Sequence, residues 1–167
     1  VPALIGMGTP QWDYGARGTL LGLTRGSTKA HVVRAVLEGI AHRGADLLEA
    51  SEADTGLRAE HLRIDGGMSR NGVFVQALAD SIGRPVEVCR DTEATTLGAA
   101  FLAGVAAGVW RDLAEATSLV RPLRTVQPRD DSSRKAVAQD MASSRAQWHE
   151  AVQRARGWIP ELSALDF

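Results

Sequence analysis

The longest regular pattern of apolar and polar positions begins after Thr28 and predicts a helix that runs to about Ala50. Its apolar residues recur at the 3.6-residue spacing of an α-helix and form one stripe: Val33, Val36, Leu37, Ile40, Gly44, Leu47 and Leu48. The opposite face carries charged residues: Arg34, Glu38, Arg43, Asp46 and Glu49. We therefore expect the stripe to be buried and the charged face to be exposed, with Ser27 or Thr28 capping the first turn.

Two short alternating runs predict β-strands, and a helical pattern follows each of them. Leu62 and Ile64 belong to the first run, and Pro85-Val-Glu-Val-Cys89 is the second. The first strand is followed by a predicted helix over Asn71–Ile82, which Gly83 ends. Thr19–Leu23 reads as a further short strand. Helices still outnumber strands, so the pattern predicts an α/β domain that is rich in helix and has a small sheet.

The helix predicted after the second strand, over Glu93–Gly108, has an almost smooth surface. Small residues recur along it: Gly98, Ala99, Ala100, Ala103, Gly104 and Ala107. Each helical glycine costs about 1 kcal/mol relative to alanine, a loss that packing must offset. We therefore expect this helix to be buried beside the turn that follows the first strand.

The two ends of the chain differ in character. Residues 1–18 are rich in glycine and read as a loop, in which Trp12, Asp13 and Arg17 are interpreted as loop anchors and not as catalytic groups. A polar connection over 111–130 precedes a last helix over about Ser132–Arg156. This helix carries Val137, Met141, Trp148, Val152 and Ala155 on one face. We expect apolar side chains of the tail, Trp158–Phe167, to pack on the body of the protein.

Composition and charge narrow the classes of function. The 167 residues are 44% hydrophobic and 23% charged, which is typical of a globular domain. The net charge of −1 gives no general attraction for nucleic acid or for an anionic membrane. The longest apolar run, Leu97–Trp110, is shorter than the roughly 20 residues that a membrane-spanning helix needs. We therefore expect neither a nucleic-acid partner nor a membrane partner.

The single cysteine and the first residues give information on the cellular compartment of the protein. Cys89 alternates with apolar residues of the second strand and is interpreted as a core residue, not as a nucleophile. One cysteine cannot form an internal disulfide, which favours a reducing compartment. Val1 stands where an initiator Met would, and no secretory leader follows it. We expect a cytoplasmic protein, and a chain that is a piece of a longer one.

The stretch that indicates chemistry is Asp65-Gly-Gly-Met-Ser-Arg-Asn71, between the first strand and its helix. A helix N-terminus offers unpaired N–H groups and the positive end of the helix dipole, which favour an anion or a nucleotide. Gly66 and Gly67 let the backbone approach a ligand closely. The alternative interpretation is a tight strand-to-helix turn without a ligand, which is common in α/β folds.

Other motifs are absent from the sequence. It contains no Gly-x-x-x-x-Gly-Lys loop, no Gly-x-Ser-x-Gly elbow and no His-Glu-x-x-His pair. His31 and His42 do not share a helix face at a metal-binding interval, and we interpret both as surface residues. From the residues alone, the glycine turn therefore remains the one candidate site, without catalytic groups or metal ligands.

Several blocks of sequence together resemble the carboxyl-terminal domain of the FGGY carbohydrate kinases. These are the glycine turn itself, Pro85-Val-Glu-Val88, and Thr92-Glu-Ala-Thr-Thr-Leu-Gly-Ala-Ala-Phe-Leu-Ala-Gly104. Upstream, Gly8-Thr-Pro-Gln-Trp-Asp13, Gly22-Leu-Thr-Arg-Gly26 and Arg34-Ala-Val-Leu-Glu-Gly-Ile-Ala41 resemble the same family in the same order. The resemblance covers about residues 4–110 and is greatest to the glycerol kinases. Gln11 departs from it, because the family has Tyr there.

The resemblance implies a fold and a site. The family has two actin-like, ribonuclease-H-like domains, of which residues 1–167 would form part of the carboxyl-terminal one. It also implies that Gly67, with Gly66 beside it, carries the adenosine end of ATP and that Asn71 lies at the adenine edge. The amino-terminal domain, with the polyol or sugar site and the aspartate that acts as general base, would lie outside this chain.

The function that the resemblance implies is that of a nucleotide-binding part of an ATP- and Mg²⁺-dependent polyol kinase, with glycerol as acceptor in the full-length enzyme. We expect the 167 residues alone to bind adenine nucleotide weakly and to lack kinase activity. Two alternatives remain, a xylulokinase-like sugar kinase and a stand-alone, non-catalytic interaction domain. Self-association into a homo-oligomer is a further possibility, because surfaces that a partner domain would cover can pair.

Overall fold

The computed structural model describes residues 1–118, 120–129 and 134–164, with residues 134–142 as backbone only. Its helices are α1 (Lys29–Thr55), α2 (Gly72–Ile82), α3 (Ala94–Ala106), α4 (Leu113–Thr117), α5 (Arg134–Ala155) and α6 (Pro160–Ser163). Its strands are β1 (Leu62–Ile64), β2 (Val86–Cys89) and β3 (Pro122–Val126). The four long helices and the first two strands confirm the elements that the hydrophobic pattern predicted.

The sheet has three strands in the order β1-β2-β3. β1 and β2 run parallel, with Leu62 beside Val86, and β3 runs antiparallel to β2. β3 was not predicted, because its central residues are exposed and polar residues surround it. The strand predicted at Thr19–Leu23 is wrong, since this segment has no strand pairing and its leucines are exposed.

The main core lies where α1 and α2 cover one face of the sheet. It is built from buried residues of three elements, α1, α2 and β2: Ala41, Phe74, Val75, Leu78, Ala79, Val86 and Val88. α1 approaches α2 closely, because a Cβ added at Gly44 would lie 3.0 Å from the Leu78 side chain. Close approach favours small side chains at the contact, and this decides which face of α1 is buried.

The predicted face of α1 is therefore wrong in part. Val33, Val36 and Leu47 are 45–51% exposed, whereas the buried residues are Gly39, Ala41, Ala45 and Asp46. Asp46 had been assigned to the solvent face, yet it is only 3% exposed. Its burial is compensated by Arg145 and Trp148 of α5, which donate hydrogen bonds to its two oxygens.

A second core joins the first residues of the chain to α5. Ala3, Met7 and Ala16 pack against Trp148 and Val152. Asp13, predicted to be a loop anchor, is 3% exposed and accepts hydrogen bonds from the backbone of residues 15, 16 and 157 and from the Ser163 hydroxyl. The anchor prediction is confirmed for Asp13, whereas Trp12 is 55% exposed.

The predictions for α3 and the tail need correction. Phe101 is the only buried residue of α3, so the smooth helix is largely exposed, and its described contacts are mainly with α4. Trp158 is 74% exposed, and the tail is instead held by the polar contact between Ser163 and Asp13. The side chains of Val137 and Met141, and residues 165–167, lie outside the described part of the chain.

Among the described residues, no helix combines the length and the apolar character that crossing a membrane would require.

Candidate functional site

The predicted glycine turn begins where β1 ends and contains a single 3-10 turn, Gly67–Arg70, before α2. Gly66 has a φ of +83°, a conformation that side-chain-bearing residues rarely adopt. Ser69 is 1% exposed and donates its hydroxyl to the Gly66 carbonyl at 2.7 Å, while its N–H donates to the same oxygen at 3.1 Å. These bonds fix the loop, so its backbone is held in one conformation before any ligand arrives.

Asn71 is the N-cap of α2. Its side-chain oxygen accepts hydrogen bonds from the N–H groups of Val73 at 3.0 Å and Phe74 at 3.1 Å. These are two of the donors that a helix N-terminus leaves unpaired. Among the described residues, no partner is recorded for the side-chain amide nitrogen. Asn71 therefore presents hydrogen-bond donors away from the helix whose first turn it caps.

Asp65 connects the turn to the next helix. Its carboxylate accepts a hydrogen bond from the N–H of Ala94, the first residue of α3, at 3.1 Å. Glu93, the N-cap of α3, makes no capping bond with its own side chain. A residue 29 positions upstream thus caps α3, and it fixes the carboxyl ends of β1 and β2 relative to each other. The sequence pattern gave no sign of this link.

Open space lies in front of the turn. A Cβ added at Gly66, Gly67 or Gly72 would meet no atom within 4 Å. The positive φ explains glycine at position 66, but Gly67 has neither a positive φ nor a close neighbour. Neither backbone strain nor packing within the described chain requires glycine at position 67.

An open cleft of about 500 Å³ adjoins the turn, between the first two turns of α1 and the start of α2. Its apolar wall is formed by Val33, Leu37 and Val73. Two cationic residues, Lys29 and Arg34, also line the cleft. Val73 also donates its N–H to Asn71, so the cleft and the cap share a residue. Sequence reasoning assigned Val33 to the core, and its 51% exposure is what makes it available here.

Cys89 is confirmed as a buried residue at the end of β2, with 9% exposure. Burial raises the pKa of its thiol above the ordinary value, so the unreactive thiol form predominates at neutral pH. His31, predicted to lie at the surface, accepts a hydrogen bond at Nδ1 from the Thr28 N–H at the start of α1, with the Thr28 hydroxyl 3.0 Å from the same nitrogen. His42 is half-buried and stacks on Trp148 with a 5.5 Å centroid separation.

One cluster of described residues has the composition of a metal site: Asp46, Glu49 and His149. Arg145 occupies it, with its guanidinium 2.7 Å from Asp46 and 2.9 Å from Glu49. Trp148 takes the other Asp46 oxygen at 2.8 Å. The cluster therefore has a cation of its own, and it explains how α5 is held to α1.

The sequence is similar to known kinases over most of its length. A model of the C-terminal domain of the FGGY family of carbohydrate kinases matches residues 1–107. The glycerol kinase of Dechloromonas aromatica is 48% identical over 159 residues, which are 95% of this chain and 30% of that protein. The glycerol kinase of Rhodopirellula baltica is 42% identical over 99% of this chain and 30% of that protein. The chain thus spans about 30% of the length of these curated relatives.

Solved structures agree with this similarity. A crystal structure of Plasmodium falciparum glycerol kinase with ADP has a TM-score of 0.76 at 34% identity, covering 93% of this chain and 30% of that one. A ligand-bound xylulose kinase from Lactobacillus acidophilus has a TM-score of 0.72 at 28% identity, covering 93% of this chain and 31% of that one. These likenesses confirm the predicted fold class, a helix-rich part of an actin-like, ribonuclease-H-like domain with a small sheet.

Proposed function

The chain belongs to the FGGY family of carbohydrate kinases, and on this premise we propose that it binds the adenosine end of ATP at Gly66, Gly67 and Asn71. In the complete enzyme, this segment would form the nucleotide-binding carboxyl-terminal part of a kinase that transfers the γ-phosphoryl group of ATP to glycerol. Residues 1–167 would be part of the carboxyl-terminal domain, with the acceptor site on an amino-terminal domain.

The observation that carries the proposal is the open glycine at position 67. The fold of the described residues tolerates a side chain there, since no atom lies within 4 Å of an added Cβ. A ligand that contacts the backbone would not tolerate one. We propose that close approach of a ligand to the turn is what requires glycine at this position.

The groups around the turn suit an adenine nucleoside. The side-chain oxygen of Asn71 accepts the hydrogen bonds that cap α2. Its side-chain NH₂ group can therefore donate to the acceptor nitrogens at the edge of the adenine base. The apolar wall of the adjoining cleft, with Val33 and Val73, suits the faces of a planar ring. We propose that the base enters this cleft beside Asn71.

The one cluster of described residues with the composition of a metal site is not a fitting holder for Mg²⁺. Magnesium prefers six oxygen ligands, several of them water, and usually one or two carboxylates. The cluster of Asp46, Glu49 and His149 is already occupied by the Arg145 guanidinium. We propose that Mg²⁺ is held by the phosphates of ATP and by residues outside the described chain.

Phosphoryl transfer requires the donor, the metal and the acceptor hydroxyl to be positioned together. The described residues provide the donor side only, so we propose that this chain alone binds nucleotide without catalysing transfer. The general base would be an aspartate of the amino-terminal domain, and closure of the two domains would exclude water from the reaction. The cytoplasm, where ATP and a reducing environment occur together, is the proposed location.

Titration of ADP by calorimetry tests the site. We expect Gly67→Trp to bind ADP at least tenfold more weakly than the unmodified chain, because the indole occupies the space of the ligand. Gly8→Trp is the control, since an added Cβ at Gly8 also meets nothing within 4 Å, in a loop that packs near α5. Equal ADP affinity for the Gly67→Trp variant and the unmodified chain refutes the site. Glycerol phosphorylation by this chain alone refutes the proposal that it binds nucleotide without catalysing phosphoryl transfer.

A sugar kinase is the second candidate, supported by the likeness to xylulose kinase. A departure from the family pattern is the reason to test both: Gln11 stands where the family has Tyr. Gln11 has no phenol hydroxyl to donate, and its side-chain oxygen accepts a hydrogen bond from Arg43. Assay of the complete enzyme with a panel of polyols and pentuloses separates the two. Preference for glycerol supports the first proposal, and preference for a ketose supports the second.

A further inference from the structure

A second cleft, of about 350 Å³, lies at the carboxyl end of β2, over β2 and β3. Three arginines from three elements line it: Arg70 at the end of the 3-10 turn, Arg90 directly after β2, and Arg124 on β3. The buried Ser69 and the hydroxyl-bearing Thr92 also line it, above an apolar floor that includes Leu123. No carboxylate is among the lining residues.

These arginines differ from the arginines of the described chain that are paired with a carboxylate. Arg63, Arg129 and Arg145 each lie within 2.6–2.8 Å of a carboxylate oxygen. Among the described residues, Arg70, Arg90 and Arg124 make no ion pair with a carboxylate. Arg70 has one long contact, to Thr92 at 3.4 Å, and Arg124 has one to the Ser69 carbonyl at 3.5 Å.

Three guanidinium groups at one cleft repel one another unless an anion lies between them. Guanidinium groups bind phosphate oxygens through two parallel hydrogen bonds, which makes arginine the preferred residue for phosphate recognition. We propose that this cleft, the arginine cleft, binds a phosphate-bearing small molecule with at least two negative charges. Thr92 is placed to add a neutral hydrogen bond.

The arginine cleft adjoins the proposed adenosine site, because Ser69 and Arg70 in its lining belong to the same 3-10 turn as Gly67. It is formed over β2 and β3, whereas the glycine turn follows β1 at the edge of this sheet, and neighbouring strands lie about 4.8 Å apart. Its lining does not include Gly66, Gly67 or Asn71. Asp91, which follows Arg90 in the sequence, lines an adjoining cavity on the α3 side, and Arg90 lines both cavities. The proposal therefore does not depend on the function proposed above.

Calorimetric titration with inorganic pyrophosphate tests the proposal on the full 167-residue chain. We expect saturable binding, weakened at least tenfold by Arg90→Gln, since the variant loses charge-assisted hydrogen bonds to phosphate oxygens. Arg25→Gln is the control, because Arg25 is an exposed arginine in the loop before α1. Absence of saturable binding overturns the proposal, as does equal affinity for the unmodified chain and the Arg70, Arg90 and Arg124 triple glutamine variant.

Two further arms identify the source of the phosphate. Adenosine should bind Arg90→Gln as it binds the unmodified chain, which keeps failure of the adenosine site separate from failure of this one. ATP and adenosine are then compared in the triple variant. If only ATP binding weakens, the nucleotide's own phosphates reach the arginine cleft. If both are unchanged while pyrophosphate binding is lost, the ligand is a separate phosphorylated molecule.

Discussion

Trp148 donates its indole N–H to a carboxylate oxygen of Asp46 at 2.8 Å, although 102 positions separate the two residues in the chain. Asp46 is 3% exposed, and its other oxygen accepts a hydrogen bond from Arg145 at 2.7 Å. The buried carboxylate is thus satisfied from both sides by α5. This contact, and not the apolar stripe of α1, decides how α5 is held to α1.

Replacement of this carboxylate should be strongly destabilising. Asp46→Ala leaves the buried Trp148 N–H without its acceptor and removes one of the two carboxylates that pair with Arg145, so we expect a loss of about 3 kcal/mol in the free energy of unfolding. Urea denaturation measures it. Glu150→Ala is the control, because its ion pair with Arg154 is about 63% exposed on both sides and should contribute less than about 1 kcal/mol. Similar losses for the two variants would contradict the role of Asp46.

Two substitutions at Asn71 separate its structural role from its binding role. Asn71→Asp keeps an oxygen that accepts from Val73 and Phe74, so we expect the stability to change little. It removes the amide donors, so ADP should bind about tenfold more weakly. Asn71→Ala should lose both, with about 1 kcal/mol of stability. Thermal denaturation and ADP titration measure the two effects, and wild-type ADP affinity in Asn71→Asp would contradict the donor role.

Replacing either of two glycines of α3 by alanine should change the stability of the protein in opposite directions. An added Cβ at Gly98 meets no atom within 4 Å, so Gly98→Ala should stabilise the protein by about 0.5–1 kcal/mol through helix propensity. At Gly104, the added Cβ would lie 2.2 Å from the Trp110 ring, so Gly104→Ala should destabilise by about 1–3 kcal/mol. Urea denaturation of the pair is its own control. Stabilisation by both substitutions would show that Trp110 does not pack on Gly104.

Stability should fall as the pH is lowered through the range in which His42 titrates. Burial lowers the pKa of His42 from 6.5 to about 4, and the nearby Arg145 charge lowers it further in the same direction. The unfolded chain therefore binds a proton below pH 6.5 that the folded chain refuses until about pH 4, so stability is lost as the pH falls across this window. His42→Phe keeps a ring to stack on Trp148 and should show a smaller loss.

Glu52 titrates in a lower pH range than His42, so the two contributions to the pH dependence of stability can be told apart. Hydrogen bonds from Arg84 and from the Ala59 N–H lower the pKa of Glu52 to about 2 from 4.5, so its contribution is lost as the pH falls below 4.5. Urea denaturation between pH 4.5 and 6.5 thus separates the contribution of His42 from that of Glu52. Parallel curves for the wild type and His42→Phe in that window would contradict the prediction.

Local signals in the sequence were sufficient for part of the fold. The N-cap residues Thr28 and Asn71, the terminating Gly83 and the alternation around Val86 are all short-range patterns, and each element they predicted is present. The glycine turn was likewise found from the sequence, because a strand, two glycines and a helix start are contiguous. Gly66, Gly67 and Asn71 do lie together in the structure, and their binding role stays a prediction.

The features that the sequence did not predict depend on contacts between residues far apart in the chain. The buried face of α1 depends on how closely Gly44 approaches Leu78, and the burial of Asp46 depends on Arg145 and Trp148, about a hundred positions later. The exposure of α3 had the same origin, since a smooth helix indicates that something can approach and not that something does. The arginine cleft was missed because its residues are scattered over Arg70, Arg90 and Arg124 and share no motif.

Asp13 has a consequence for how the chain is made. Its carboxylate takes hydrogen bonds from the Gly157 N–H at 2.9 Å and from the Ser163 hydroxyl at 2.6 Å, across 144 and 150 positions. Because synthesis proceeds from the amino terminus, these donors leave the ribosome long after Asp13 does. Arg43 of α1 holds this loop at Gly8 and Gln11, but the contacts of Asp13 with residues 157 and 163 form only after those residues have been made. A chain that stops before Gly157 would therefore keep the local hydrogen bonds of Asp13 and lack the two that tie the loop to the end of α5 and to α6.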